Sequence, residues 1–94
     1  MEASDRVRVA EIADVLAEQG FNARLVMDGD LPVLFALGVK KTHSVDLRRA
    51  EVGLVIEFWY GYPDDEFISA DTVETFEEAL PRIQRWLARD ADVR

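Results

Sequence analysis

Gly53-Leu54-Val55-Ile56-Glu57-Phe58-Trp59-Tyr60-Gly61-Tyr62 holds four of the chain's nine aromatic residues and a single charge. In an extended strand, alternation sends Leu54, Ile56, Phe58 and Tyr60 to one side and Val55, Glu57 and Trp59 to the other. Both sides are apolar, so both need cover. Helices of the same chain can supply one cover, leaving the other to some further part of the chain or to a partner. The expected core places Leu54, Ile56, Phe58 and Tyr60 beneath Leu16, Leu80 and Ile83, which leaves Val55, Glu57, Trp59 and Tyr62 as the second face.

Upstream of this strand, Val9, Ile12, Ala13 and Leu16 recur at helical spacing, with Ser4 or Asp5 available as a cap. Gly20 suits the left-handed position that ends a helix, and Phe21 is placed for the apolar contact that accompanies it. Asn22 to Asp28 alternates as a strand. Asp28-Gly29 then signals a tight turn of type I′, and Leu31 to Leu37 returns. Pro32 has no amide hydrogen and belongs at the start or free edge of that strand. Gly38 to Ser44 reads as a polar connection, with a possible strand over Val45 to Arg49 and the strong strand pattern resuming at Val52. Downstream, Gly61-Tyr62-Pro63-Asp64-Asp65 breaks the strand, and Glu66 to Val73 suits one more short strand. Thr75 and Glu78 have the form of a capping box before the stripe Phe76, Ala79, Leu80, Ile83, Trp86, Leu87. Pro81 costs up to about 3 kcal/mol inside a helix. Four buried side chains from the stripe, at roughly 1.5 to 3 kcal/mol each, outweigh it, so one helix bent near Glu77 to Pro81 is expected. Arg82, Arg85 and Arg89 fall on its outer side.

These patterns predict an α+β domain spanning residues 1–94. It has an N-terminal helix, three or four mostly antiparallel strands and a C-terminal helix, with both helices on one face of the sheet and a frayed tail from Asp90 to Arg94. The order of helix, Asp-Gly hairpin and long strand over residues 9–60 resembles the bacterial secretion-chaperone-like fold in topology. No residue role follows from that resemblance.

The chain carries a net charge of −8, unevenly spread. Residues 1–50 hold seven basic against eight acidic residues, and residues 51–94 hold four against eleven. From Asp64 to Glu78 there are seven carboxylates and no basic residue, a stretch that repels phosphate backbones and attracts basic surfaces. Nucleic-acid binding is therefore disfavoured. No run reaches the length of a membrane span, and the charged N-terminus is unlike a signal sequence, which suggests a cytoplasmic protein. The absence of cysteine removes disulfides and thiolate metal sites, and one histidine cannot make a histidine-based metal cluster. Nine of the eleven basic residues are arginine, a usage expected of a GC-rich bacterial genome.

Candidate chemistry is sparse. His43-Ser44-x-Asp46 contains the residue types of a hydrolytic triad, but triads assemble from distant segments and the nucleophile elbow is missing, so a solvated loop histidine is the better reading. Asp64, Asp65 and Glu66, with Asp71, offer oxygen ligands to a hard cation, yet lack the twelve-residue calcium-loop pattern. Glu57 is the most unusual charge. It reads either as an acid or base in a cleft or, preferably, as the partner of a cross-strand Arg24 or Arg48. Lys40, Lys41, His43, Arg48 and Arg49 make the one basic cluster, suited to a phosphate, an acidic partner or a second copy. The expectation is a non-enzymatic module, of an inhibitor, immunity, antitoxin or chaperone kind, without cofactor or metal. It would bind a basic protein surface through Glu57, Trp59, Tyr62, Asp64, Asp65, Glu66, Asp71 and Glu74. The alternatives are a structural homodimer and, third, a small enzyme acting through Glu57 and His43.

Overall fold

The computed structural model describes residues 2–92. Its elements are α1 (Glu2–Glu18), β1 (Asn22–Asp28), β2 (Leu31–Leu37), β3 (His43–Arg49), β4 (Leu54–Tyr60), β5 (Glu66–Val73) and α2 (Phe76–Ala88), closed by a 3-10 turn over Arg89–Asp92. The strands form one antiparallel sheet in the order β1-β2-β3-β4-β5, every strand paired with its neighbour in the chain. There are five strands rather than three or four. His43 and Ser44, expected in a polar connection, pair with Tyr60 and Trp59. An edge strand needs pairing on one side only, so β5 holds to β4 although six of its eight residues are exposed.

Local signals explain the boundaries. Gly20 has φ 97°, and the Phe21 N–H donates to the Leu16 carbonyl at 3.1 Å, closing α1 as its sequence implies. The first hairpin departs from expectation. Asp28 pairs with Leu31, so Gly29 and Asp30 are the central residues, and only Gly29 (φ 63°) is left-handed. That is the pattern of a type II′ turn, which places glycine first, rather than type I′. Pro32 sits one residue before the first β2–β3 pair, Val33 with Arg48, where no ladder bond is lost. At the start of α2, Thr75 Oγ1 accepts from the Glu78 N–H at 3.1 Å, and Glu78 Oε1 accepts from the Glu74 N–H at 3.2 Å. The reciprocal bond thus lands one residue before the cap. Phe76–Ala88 continues through Pro81 as one helix, with Phe76, Ala79, Ile83 and Leu87 buried.

Both helices cover the same face. Val9, Ile12, Ala13 and Leu16 of α1 join Ala79, Ile83 and Leu87 of α2 over Leu34, Ala36, Val45, Leu47, Leu54, Ile56 and Phe58. Tyr60 shares their side of β4, but it lies at the strand end and is 41% exposed, so it is not a core residue.

The expected fraying from Asp90 is not what residues 90–92 do, and residues 93 and 94 lie outside the described part. Asp90 is 2% exposed. Its carboxylate accepts from the N–H groups of Lys40 (2.8 Å) and His43 (2.9 Å) and from the Thr42 hydroxyl, and lies 2.8 Å from His43 Nδ1. The β2–β3 turn is therefore built around a carboxylate from the far end of the chain. Gly38 makes the approach possible, since a Cβ there would stand 2.1 Å from Asp90 Oδ2. The same contact buries His43, expected in a solvated loop, and packs its ring edge-on against Tyr60 and Trp86.

Burial pushes the Asp90 carboxyl up, but the donors from Thr42, His43 and the backbone prevail and hold it below the usual carboxylate range. A folded-state pKa below the unfolded one stabilises the protein at neutral pH. That stability is lost as pH falls through the folded value. Asp90→Ala should cost about 2 to 3 kcal/mol in urea unfolding at pH 7, because it leaves buried donors unpaired. The difference from wild type should shrink in acid.

Candidate functional site

The face of the sheet away from the helices consists of cross-strand rows fixed by register. One row runs Leu37, Ser44, Trp59, Phe67; the next Arg24, Phe35, Asp46, Glu57, Ala70; the third Val26, Val33, Arg48, Val55, Thr72. The ring of Tyr62 stands 6.3 Å from that of Phe35, bringing the start of the β4–β5 loop to this face. Phe67 meets Trp59 edge-on at 5.3 Å, and the Arg24 guanidinium lies 5.6 Å from the Phe35 ring. From the covered side, Trp86 Nε1–H donates to the carbonyls of Ser44 (3.0 Å) and Trp59 (3.3 Å). Helix α2 thereby grips the backbone of the pair whose side chains form the site.

The centre of this face is polar and incompletely satisfied. Arg48 donates to Glu57 at 2.9 Å, the cross-strand pairing expected for Glu57. Beside that pair, Ser44 Oγ, Asp46 Oδ1 and Trp59 Nε1 are buried without a hydrogen-bond partner. These are adjacent positions, Ser44 opposite Trp59 and Asp46 opposite Glu57. Burial, and next the Glu57 charge, push the Asp46 carboxyl above its ordinary value. Arg48 and the Trp59 indole pull it down by less, and the indole does so without closing a normal hydrogen bond. A buried polar atom left unpaired costs about 1 to 3 kcal/mol, so this cluster lowers stability.

The expected binding residues divide. Glu57, Trp59 and Tyr62 gather on the open face, and Asp64 and Asp65 continue from Tyr62 as exposed residues, whereas Glu66, exposed as well, pairs with Tyr60 and so takes the helix-covered side. Burial first, and Asp64 second, raise the Asp65 carboxyl. Asp71 belongs to the helix-covered side, where Arg82 donates to it at 3.0 Å, and Glu74 lies in the turn before α2. Neither joins the open face. His43 points to the covered side and Glu57 to the open one, so the two share no pocket. The basic cluster also disperses, Arg48 to Glu57 and Arg49 to Asp5 at 2.8 Å.

Ser44, Asp46, Phe35 and Phe67 are site residues that the sequence reading did not single out for this face. The spacing of Ser44 and Asp46 held the signal, since a strand beginning at His43 puts them on one side with Trp59 and Glu57 opposite.

Among the described residues, no three His, Asp or Glu side chains converge as a metal ion requires, and no helix is long and apolar enough to cross a membrane. Comparisons with protein-family models, curated proteins and solved structures give no match to this chain.

For Asp46 the sign is opposite to that for Asp90. A folded-state pKa above the unfolded one means that the ionised form opposes folding at neutral pH and that the penalty is relieved as pH falls. Asp46→Asn should therefore stabilise the domain by about 1 kcal/mol at pH 7, read as a higher melting temperature. The gain should narrow as the pH is lowered.

Proposed function

We propose that the protein is a non-enzymatic binding module acting in the cytoplasm, and that its open sheet face with the adjoining acidic loop receives a basic protein surface. One observation carries the reading. Ser44, Asp46 and Trp59 leave polar atoms unpaired at a place that register fixes and α2 braces, surrounded by Phe35, Tyr62 and Phe67. Costly polar groups held rigidly among aromatic rings are what a recognition site retains at the expense of stability. Asp64 and Asp65 add negative charge beside it with no intervening basic residue, which favours a basic partner and disfavours nucleic acid. An inhibitor, immunity, antitoxin or chaperone role fits such a surface. The enzymatic alternative through Glu57 and His43 lacks support, because those side chains face opposite sides of the sheet.

A partner captured from cell extract on the immobilised protein should be released as salt rises above physiological strength. Trp59→Ala and the pair Asp64→Lys with Asp65→Lys should each abolish capture, with circular dichroism showing a retained fold. Capture that survives both changes rejects this surface.

A structural homodimer is the second reading, favoured by Phe67 and Ile68, which are 49% and 47% exposed on an edge strand. Light scattering should then show a dimer independent of concentration. A monomer across the micromolar range removes this reading.

A further inference from the structure

On the helix-covered side, between β5 and α2, a groove of about 310 Å³ is lined by Phe58, Ile68 and Trp86 and by Arg82, Arg85 and Arg89. Three guanidinium groups face one carboxylate, Asp71, in a chain whose net charge is −8. Two of the arginines are fixed in place. Arg82 bonds Asp71 at 3.0 Å, and the Arg89 guanidinium lies 5.3 Å from the Trp86 ring. Arg85 has no carboxylate partner among the described residues. Beside the groove, β5 pairs only with β4, so the backbone groups on its outer side are open to another strand. The register shift at Phe58/Trp59 leaves both Phe67 and Ile68 exposed, with Ile68 lining the groove and Phe67 against Trp59 on the other face.

These features match in scale. Side chains on one face of an added strand recur every two residues, about 6.7 Å apart. Arg85 and Arg89 are separated by four helical residues, about 6 Å along α2. Arg82 bonds Asp71 while Trp86, one turn on, packs on Phe58, the partner of Ser69, so α2 runs along β5. Alternate carboxylates of an added strand thus match the spacing of Arg85 and Arg89, while the intervening side chains turn to the face that carries Phe67. We propose that β5 and this groove bind an extended acidic segment of a partner protein, added as a sixth strand, with alternate carboxylates on Arg85 and Arg89 and apolar side chains against Phe67. The arginine groove lies on the opposite side of the sheet from Asp46 and Trp59, and only Phe67, which packs on Trp59, is shared with the open face, so the arginine contacts do not depend on what that face binds.

The test uses fluorescein-labelled Glu-Val-Glu-Val-Glu-Val and anisotropy titration of the full chain. Saturable binding is expected, with a Lys-Val counterpart failing to bind. Arg85→Glu with Arg89→Glu should weaken binding at least about tenfold, as loss of two ion pairs with added repulsion implies. Of two Glu-Val peptides N-methylated on the odd or the even residues, one should lose binding to a similar extent, because its amides face β5. Equal binding of the Lys peptide, of the reversed variant or of both methylated peptides overturns the proposal. So does a homodimer that leaves β5 inaccessible to the peptide. If the double reversal unfolds the domain, Arg85→Gln leaves the Arg82–Asp71 pair and the Arg89–Trp86 stack in place. It should weaken binding about threefold, and unchanged affinity overturns the proposal.

Discussion

Two helices cannot cover both faces of a five-stranded sheet. Strands spaced about 4.8 Å apart make a surface that two helices, each about 10 Å across, cover once. Here α1 lies over the β1–β2 end and α2 over β3, β4 and β5, with the two helices in contact with each other. All the large fully buried aliphatic side chains from Leu16 to Leu87 serve this one interface. The opposite face is left to its own side chains, to water or to another molecule, and it is on this face that the proposed recognition surface lies.

The chain closes its open face in part. Arg48 with Glu57, Phe35 with Tyr62 and Trp59 with Phe67 make a layer one side chain thick, enough to bury Ser44 to 1% exposure without satisfying its hydroxyl. An apolar row in the same place would be more stable. The polar row is instead held rigidly, because the Trp86 indole ties the Ser44 and Trp59 carbonyls to α2 from behind. Asp90 secures the other end of the arrangement by filling the β2–β3 turn immediately before β3 begins. Two residues near the end of the chain, Trp86 and Asp90, thus set the position of β3, and β3 supplies Ser44 and Asp46.

Much of the fold was legible because its signals are local. The Val9 to Leu16 stripe, the Gly20 stop, the Thr75 cap and the alternation of Leu54 with Val55 each act within a few residues, and each appears where the pattern put it. The misreadings share another character. His43 looked like a loop histidine because nothing near it in sequence explains its burial; the explanation is Asp90, 47 residues away. Asp90 looked frayed for the complementary reason, as a charged residue beyond an apolar stripe has no local partner. β5 lies over Glu66–Val73 as its pattern implies, and only the total of three or four strands falls short, since an edge strand with six exposed residues offers little apolar alternation.

The candidate site was legible by half. Glu57, Trp59 and Tyr62 could be assigned to one face, because period two along β4 decides which side chains turn away from the helices. Ser44 and Asp46 could not be joined to them, because cross-strand register depends on where β3 begins, and that is set by a turn folded around a distant carboxylate. Asp71 was grouped with the acidic stretch by proximity in sequence, yet the sheet sends it to the covered side and to Arg82. The sequence by itself determined the elements, their amphipathic faces and the lopsided charge, since these arise from side-chain chemistry and local backbone geometry. The tertiary structure alone decided which polar groups go unpaired and which acids share a face, since both depend on contacts between segments that only the packed sheet brings together.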